Sequence, residues 1–187
     1  DGVLDEPVWG TTDIASNFWQ FFPTDSLKSN NKTEVRMTYN ESTLYIGIRA
    51  ESKKGNFIVN SLRRDFGGTT NDNVSLIFDT FNDATNAYMF SVNPYGVQRE
   101  SLVSGGGDAL NPTWDVKWQS EGKIYSNYYI LELAIPFSSL KFKEGSQIWR
   151  FQTYRWDLQT DEQSAWSRVP QNQLLINLWK HIFSSLF

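Results

Sequence analysis

Two arginines and two acids crowd one stretch of the chain, Arg63-Arg64-Asp65-Phe66-Gly67-Gly68-Thr69-Thr70-Asn71-Asp72. Its guanidinium groups can donate to ligand oxygens and its carboxylates can accept from hydroxyls, in a loop made pliable by glycine. The same groups suit an internal Arg–Asp network that holds the loop's shape, and the sequence leaves both readings open. A second concentration of oxygen donors follows in Asp79-Thr-Phe-Asn-Asp83-Ala-Thr-Asn86. Calcium favours oxygen-rich turns, which makes Asp79 and Asp83 candidate ligands of a structural Ca²⁺. The spacing is not that of an EF-hand loop, and a polar turn capped by Asp and Asn would use the same residues.

Catalytic constellations are scarce. His181 is the only histidine and there is no cysteine, so a Ser–His–acid triad, a cysteine nucleophile and thiolate metal sites all lack their parts. Gly105-Gly106-Gly107 has neither the spacing nor the following lysine of a phosphate-binding loop. Glu100 and Glu132 both fall on predicted strands, so a glycoside hydrolase with paired carboxylates stands as an alternative. A salt bridge or a solvated strand face explains them better, because most ionised carboxylates are exposed or paired.

Aromatic residues are abundant, at 16% of the 187 residues, with eight tryptophans. An indole either fills a core or presents a flat face to a flat ligand such as a sugar ring, whose hydroxyls then need Arg, Asp, Asn or Gln. Trp114, Trp118, Trp156 and Trp166 lie near turns or polar residues, beside Asp115, Arg155 and Arg168. Trp9 and Trp149 have apolar neighbours and read as core, and Trp118 alternates with Lys117 and Gln119 as a core residue would.

Period-2 alternation supplies the elements that must hold these side chains. It is clearest in Val35-Met37-Tyr39, Leu44-Ile46-Ile48, Val74-Leu76-Phe78 and Tyr88-Phe90-Val92. Asn40–Ser42, Asn93-Pro-Tyr-Gly96, the Gly105 loop and Glu121-Gly-Lys123 read as turns. Further strands are expected at Val97–Val103, Asp115–Ser120, Tyr128–Ile135 and Ile148–Asp157. Residues 1–32 read as an edge strand plus a long loop. Short strands at this spacing predict an all-β, two-sheet antiparallel sandwich of immunoglobulin or jelly-roll type over residues 1–173. Leu175, Leu178, Trp179, Ile182, Phe183 and Leu186 recur at helical spacing, so 174–187 is expected to be an amphipathic tail, short helix or linker toward a further domain.

A net charge of −4 without a basic cluster argues against nucleic acid, and no apolar run is long enough to cross a bilayer as a helix. The chain opens on Asp1–Gly2, as a trimmed, exported segment would, which points to a secreted, periplasmic or outer-membrane-associated bacterial protein.

Several of these segments resemble the family 9 carbohydrate-binding modules. They are Asp1-Gly-Val-Leu-Asp-Glu-Pro-Val-Trp9, Thr33–Tyr39 with Leu44–Ile48, Asp72-Asn-Val-Ser-Leu-Ile-Phe-Asp79 and Glu132-Leu-Ala-Ile-Pro-Phe137. Arg63-Arg-Asp65, Asp79–Asp83, Asn93–Gly96 and Trp114-Asp115 are similar to a subgroup that precedes a predicted outer-membrane β-barrel in Bacteroidetes-like proteins. The resemblance implies a two-sheet sandwich, a non-catalytic role, structural calcium, and saccharide held by aromatic stacking and polar contacts. Trp166 matches one aromatic position, and the central strand carries Ser75 where an acidic residue is usual. The expected ligand-binding set is Trp114, Trp166, Arg63, Arg64, Asp72, Arg99 and Arg155. The implied partners are carbohydrate and a barrel domain of the same parent chain, possession of which would also fit a structural periplasmic domain that docks to the barrel and binds no sugar.

Overall fold

The computed structural model describes residues 1–53, 55–143 and 148–176. It is the expected two-sheet antiparallel sandwich. One sheet runs in the order β1 (Ile14–Ala15), β3 (Thr33–Tyr39), β4 (Thr43–Glu51), β10 (Tyr128–Pro136), β9 (Gln119–Ile124). The other runs β2 (Trp19–Phe22), β12 (Glu162–Ala165), β11 (Arg150–Asp157), β5 (Asn73–Asp79), β6 (Ala87–Val92), β7 (Gln98–Ser104), β8 (Ala109–Asn111).

Turn chemistry sets the hairpins. The Asn40 carboxamide oxygen accepts the N–H groups of Ser42 and Thr43, both at 2.9 Å, and closes β3 onto β4. The Asn93 carboxamide oxygen does the same for Tyr95 and Val97, at 3.0 and 3.1 Å, with Gly96 at a φ of 76° that a side chain would resist.

The inward rows of both sheets meet in one core: Val35, Leu44, Ile46, Ile48, Val74, Leu76, Phe78, Phe90, Leu131, Leu133 and Phe151 among others. Burial of each such side chain stabilises by ~1.5–3 kcal/mol. Phe78 is the aromatic hub, with ring centroids 5.1 Å from Phe151, 6.3 Å from Phe90 and 6.4 Å from Trp149. Trp9, Trp118 and Trp149 are buried, as read from the sequence. Trp9 and Leu4 lie instead over the outer face of the five-stranded sheet, on Gly47, where a Cβ would stand 2.7 Å from Leu4 Cδ2.

The seven-stranded sheet is covered on its outer side as well. A second cluster there joins Ile77, Met89, Val103 and Tyr154 to Ala165, Val169 and Leu175. The chain after β12 therefore packs back across the sheet, and the module extends past residue 173 at least to Ile176. Residues 177–187, which hold most of the expected amphipathic tail and His181, lie outside the described residues.

Three expectations change. Residues 1–32 give each sheet an edge strand, β1 and β2, instead of one edge strand and a loop. Glu121-Gly-Lys123 is not a turn but the middle of β9, and the strand expected from Asp115 starts only at Gln119. Gly122 serves close approach: a Cβ on it would stand 2.5 Å from Gly96 N and 2.6 Å from Pro94 O. The short strands β8 and β12 carry too little alternation to be recognised beforehand.

Candidate functional site

The residues able to meet a ligand lie on the outer face of the seven-stranded sheet. Antiparallel register sets Ala165, Tyr154, Ser75, Ser91 and Arg99 in one row across five strands, through the pairs Ala165–Tyr154, Tyr154–Ser75, Ser75–Ser91 and Ser91–Arg99. The neighbouring row holds Gln163, Trp156 and Asn73. Side chains two apart on a strand share a face, so both rows point the same way. Above them lies a trough of about 400 Å³. Trp156, Tyr154, Asn73, Arg99 and Gln163 form its floor and ends, Gly68 and Thr69 one rim, Phe21 and Leu174–Ile176 another. Arg99 and Trp156 are three strands apart in the sheet, roughly 14 Å at ordinary strand spacing.

The floor is organised by its own hydrogen bonds. Ser75 and Ser91 share a hydroxyl bond of 2.7 Å across β5 and β6, and the Asn73 amide donates to the carbonyls of Gly68 and Asn71, both at 2.7 Å. Those two bonds fold the Gly67–Thr70 loop toward the trough. Gly68 makes room for the arginine, since a Cβ there would lie 2.7 Å from Arg99 Nη1. Burial pushes the Tyr154 phenol above its ordinary range, and its hydroxyl faces the Met89 sulfur at 3.4 Å. Trp156 is half-buried against the second cluster. Among the described residues, the Arg99 guanidinium, the Gln163 carboxamide and the Trp156 indole N–H have no hydrogen-bond partner within the chain, which leaves them available to a ligand.

Arg99 is thus the one member of the expected set that lines this trough. Arg64 is a rivet. Its guanidinium bonds the buried Glu100 carboxylate, Asp115 at 2.9 Å, the Gln98 side-chain oxygen at 2.6 Å and the Val116 carbonyl at 3.0 Å. The Arg–Asp network reading of this loop accordingly describes Arg64, while Arg63 stands exposed. Arg155 and Asp72 are each 1% exposed and serve internal partners. Arg155 donates to Thr33 Oγ1 and Asp157 Oδ2, both at 3.2 Å, between the sheets, because β11 alternation turns it opposite to Tyr154 and Trp156. Trp114 lies 5.0 Å from Tyr88 and 5.9 Å from Phe90, and Trp166 lies 5.9 Å from Phe151. Both indoles are half-buried against the inter-sheet core, and neither lines this trough.

Asp72 carries a testable consequence. Its oxygens accept the N–H groups of Leu158 at 2.6 Å and Ile58 at 2.7 Å, tying two loops to the start of β5. Burial pushes its carboxyl up to about 6, with Asp157 adding to the rise and the two amides and Arg155 opposing it. The folded chain therefore holds a proton between about pH 4 and 6 that the unfolded chain releases, so stability from this group is full below that window and lost as pH rises through it. In urea unfolding, the wild type is expected to lose on the order of 2–3 kcal/mol more than Asp72→Asn between pH 4 and pH 7. Parallel profiles for the two proteins would contradict this.

The Asp79 turn does not make a calcium cage. The Asp79 carboxylate is spent on the N–H groups of Ala84 at 2.8 Å and Asp83 at 3.4 Å, and Asp83 accepts from Thr85 N at 2.8 Å. Among the described residues no group of three or more acids or histidines converges anywhere. The residues fit the capped polar turn. The two glutamates of the hydrolase alternative are in different sheets: Glu100 is buried on Arg64 and on Trp118 Nε1 at 3.1 Å, while Glu132 receives the N-terminal ammonium at 2.8 Å. They are not a catalytic pair.

Sequence reasoning named Trp156 as an aromatic near polar residues but did not assemble it with Tyr154, Asn73, Gln163 and Arg99. The parity of β11 held the signal, since Arg155 inside puts Tyr154 and Trp156 outside. What it lacked was the register that sets them beside β5 and β12.

Solved structures share this fold. An inferred carbohydrate-binding protein of Bacteroides uniformis superposes with a TM-score of 0.69 at 12% identity, covering 88% of this chain and 81% of its own. A family 9 carbohydrate-binding module of Caldicellulosiruptor kristjanssonii in complex with cellotriose gives 0.62 at 14% identity, covering 88% and 76%. The same organism's module in complex with glucose gives 0.62 at 16%, covering 88% and 78%. No curated protein sequence matches. The family described as carbohydrate family 9 binding domain-like matches residues 1–179, nearly the whole chain, and this protein belongs to that family.

Proposed function

We propose that this chain is a non-catalytic carbohydrate-binding module that takes a saccharide in the trough on the outer face of the seven-stranded sheet. The observation that carries the reading is the half-buried Trp156 indole beside the unpartnered Gln163 side chain, in one trough with the unpartnered Arg99 guanidinium. An indole covers the C–H face of a pyranose ring, and the amide and guanidinium serve hydroxyls at its rim. The family membership and the saccharide complexes of the Caldicellulosiruptor modules support the same ligand class. Buried polar groups that bond each other through the floor hold the site in place before binding, which lowers the ordering cost of association. This reading sets the protein where polysaccharide is met, outside the cytoplasm, and an attached outer-membrane barrel would fit that setting.

The test is a glycan array followed by calorimetry on the full chain. At least one glycan is expected to bind, with the affinity reduced about 30-fold in Trp156→Ala and unchanged in Arg63→Ala. Absence of binding to every glycan, or equal affinity in Trp156→Ala, would overturn the proposal.

A further inference from the structure

The charge of the trough narrows the ligand. Arg99 is half-buried on β7, over the space left by Gly68, and among the described residues its guanidinium has neither a salt bridge nor a hydrogen bond. That sets it apart from Arg64, Arg150, Arg155 and Arg168, each of which faces a carboxylate. Among the described residues, no aspartate or glutamate lines the trough. Next to the arginine on the same face of the sheet stand the buried Ser91 and Ser75, whose neutral hydroxyls bond each other. The Trp156 N–H and all five guanidinium N–H groups are donors only. A neutral sugar hydroxyl is both donor and acceptor, so a site built for it profits from a carboxylate as well as from donors. This trough lacks the carboxylate and keeps an uncompensated cation partly out of water, where an ion partner gains most.

We infer that the trough selects a saccharide bearing an oxyanion, a uronic-acid carboxylate or a sulfate ester, whose charged oxygens pair with Arg99 while a ring of the same saccharide lies on Trp156. This rests on the carbohydrate-binding reading above and adds the substrate class. The guanidinium fork matches two oxygens of one carboxylate or sulfate, which a lysine ammonium cannot do. The two residues sit on strands roughly 14 Å apart, so a saccharide that meets both carries its charged unit toward the β7 end.

The probes are trigalacturonic acid, its fully methyl-esterified form, a sulfated galactose trisaccharide and neutral cellotriose, titrated calorimetrically into the full chain. Wild type is expected to bind one of the two anionic trimers at least ten-fold more tightly than both neutral ones, weakening as salt rises. Which anionic trimer wins tells carboxylate from sulfate. Arg99→Gln is expected to lose that preference, with the anionic ligand weakened about ten- to a hundred-fold and the neutral ones little changed, and Arg99→Lys to retain part of it. The thermal midpoint of each variant, measured alongside, shows that it folds. If neutral trimers bind as well as anionic ones, or if Arg99→Gln weakens both alike, the oxyanion inference fails and the carbohydrate-binding reading survives. If no trimer binds and the glycan array is also blank, both fail together.

Discussion

Asp157→Ala is expected to destabilise the fold by about 3–5 kcal/mol, the cost of leaving a buried charge without its partner. The partner is Arg155, whose side chain is 1% exposed against 4% for that of Asp157. Asp157 Oδ2 accepts from Arg155 Nη2 at 3.2 Å and from the Asn31 amide at 2.6 Å, while Arg155 Nη1 reaches Thr33 Oγ1 on β3. This cluster crosses from the seven-stranded sheet to the five-stranded one, and the Arg155 guanidinium stands 5.8 Å from the Tyr129 ring of β10. Removing the carboxylate strands the guanidinium in a medium of low polarity. Removing both charges at once is a different experiment, since apolar side chains of similar volume spare the desolvation of two ions. Arg155→Met with Asp157→Leu is therefore expected to cost less than Asp157→Ala alone. Urea unfolding monitored by tryptophan fluorescence reads both. A loss below 1 kcal/mol in Asp157→Ala would show that the carboxylate does not hold the buried guanidinium as its ion-pair partner. The double variant, if folded, is also expected to keep wild-type saccharide affinity, because Arg155 faces the interior and does not line the trough.

Phe78→Ala should be comparably severe, at about 3–5 kcal/mol, for a reason that involves no charge. Phe78 is 0% exposed near the C-terminal end of β5, with Phe151 beside it on β11 and the rings of Phe90 and Trp149 on two further sides. Truncation removes the transfer free energy of a benzyl group and leaves a cavity that three fixed aromatic neighbours cannot close. Phe78→Leu keeps most of the volume and is expected to lose less than half as much. The midpoint should move with little change in denaturant slope, since the surface exposed on unfolding is unchanged. A cost below about 1.5 kcal/mol for Phe78→Ala would mean that the core rearranges freely, against the packing seen. The Phe78 and Asp157 substitutions act through different neighbours, so in combination their costs should add unless the combined loss exceeds the total stability of the fold.

The amino-acid sequence by itself determined the all-β class, the β3–β4 hairpin, the alternation of Val74, Leu76 and Phe78 with Ser75, Ile77 and Asp79, and the turn at Asn93–Gly96. These follow from local physics: a period of two makes a half-buried strand, and an Asx side chain caps its own turn. Its resemblance to family 9 modules pointed to the same sandwich. The site was legible only in part. Alternation says that Arg155 and Trp156 point opposite ways, but it does not say which way is inside. In β5 it is especially mute, because every residue from Asn73 to Asp79 is buried. Leu76 and Phe78 face the inter-sheet core, while Ile77 lies in the second cluster under the segment that follows β12. Only the tertiary structure, by laying residues 165–176 over one face and setting β11, β5, β6 and β7 in register, decided that Arg155 would be sealed with Asp157 and Arg99 left open beside Trp156. The physical reason is that pairing and coverage are long-range choices, settled by which surfaces the whole chain can bury together, and no window of neighbouring residues contains them.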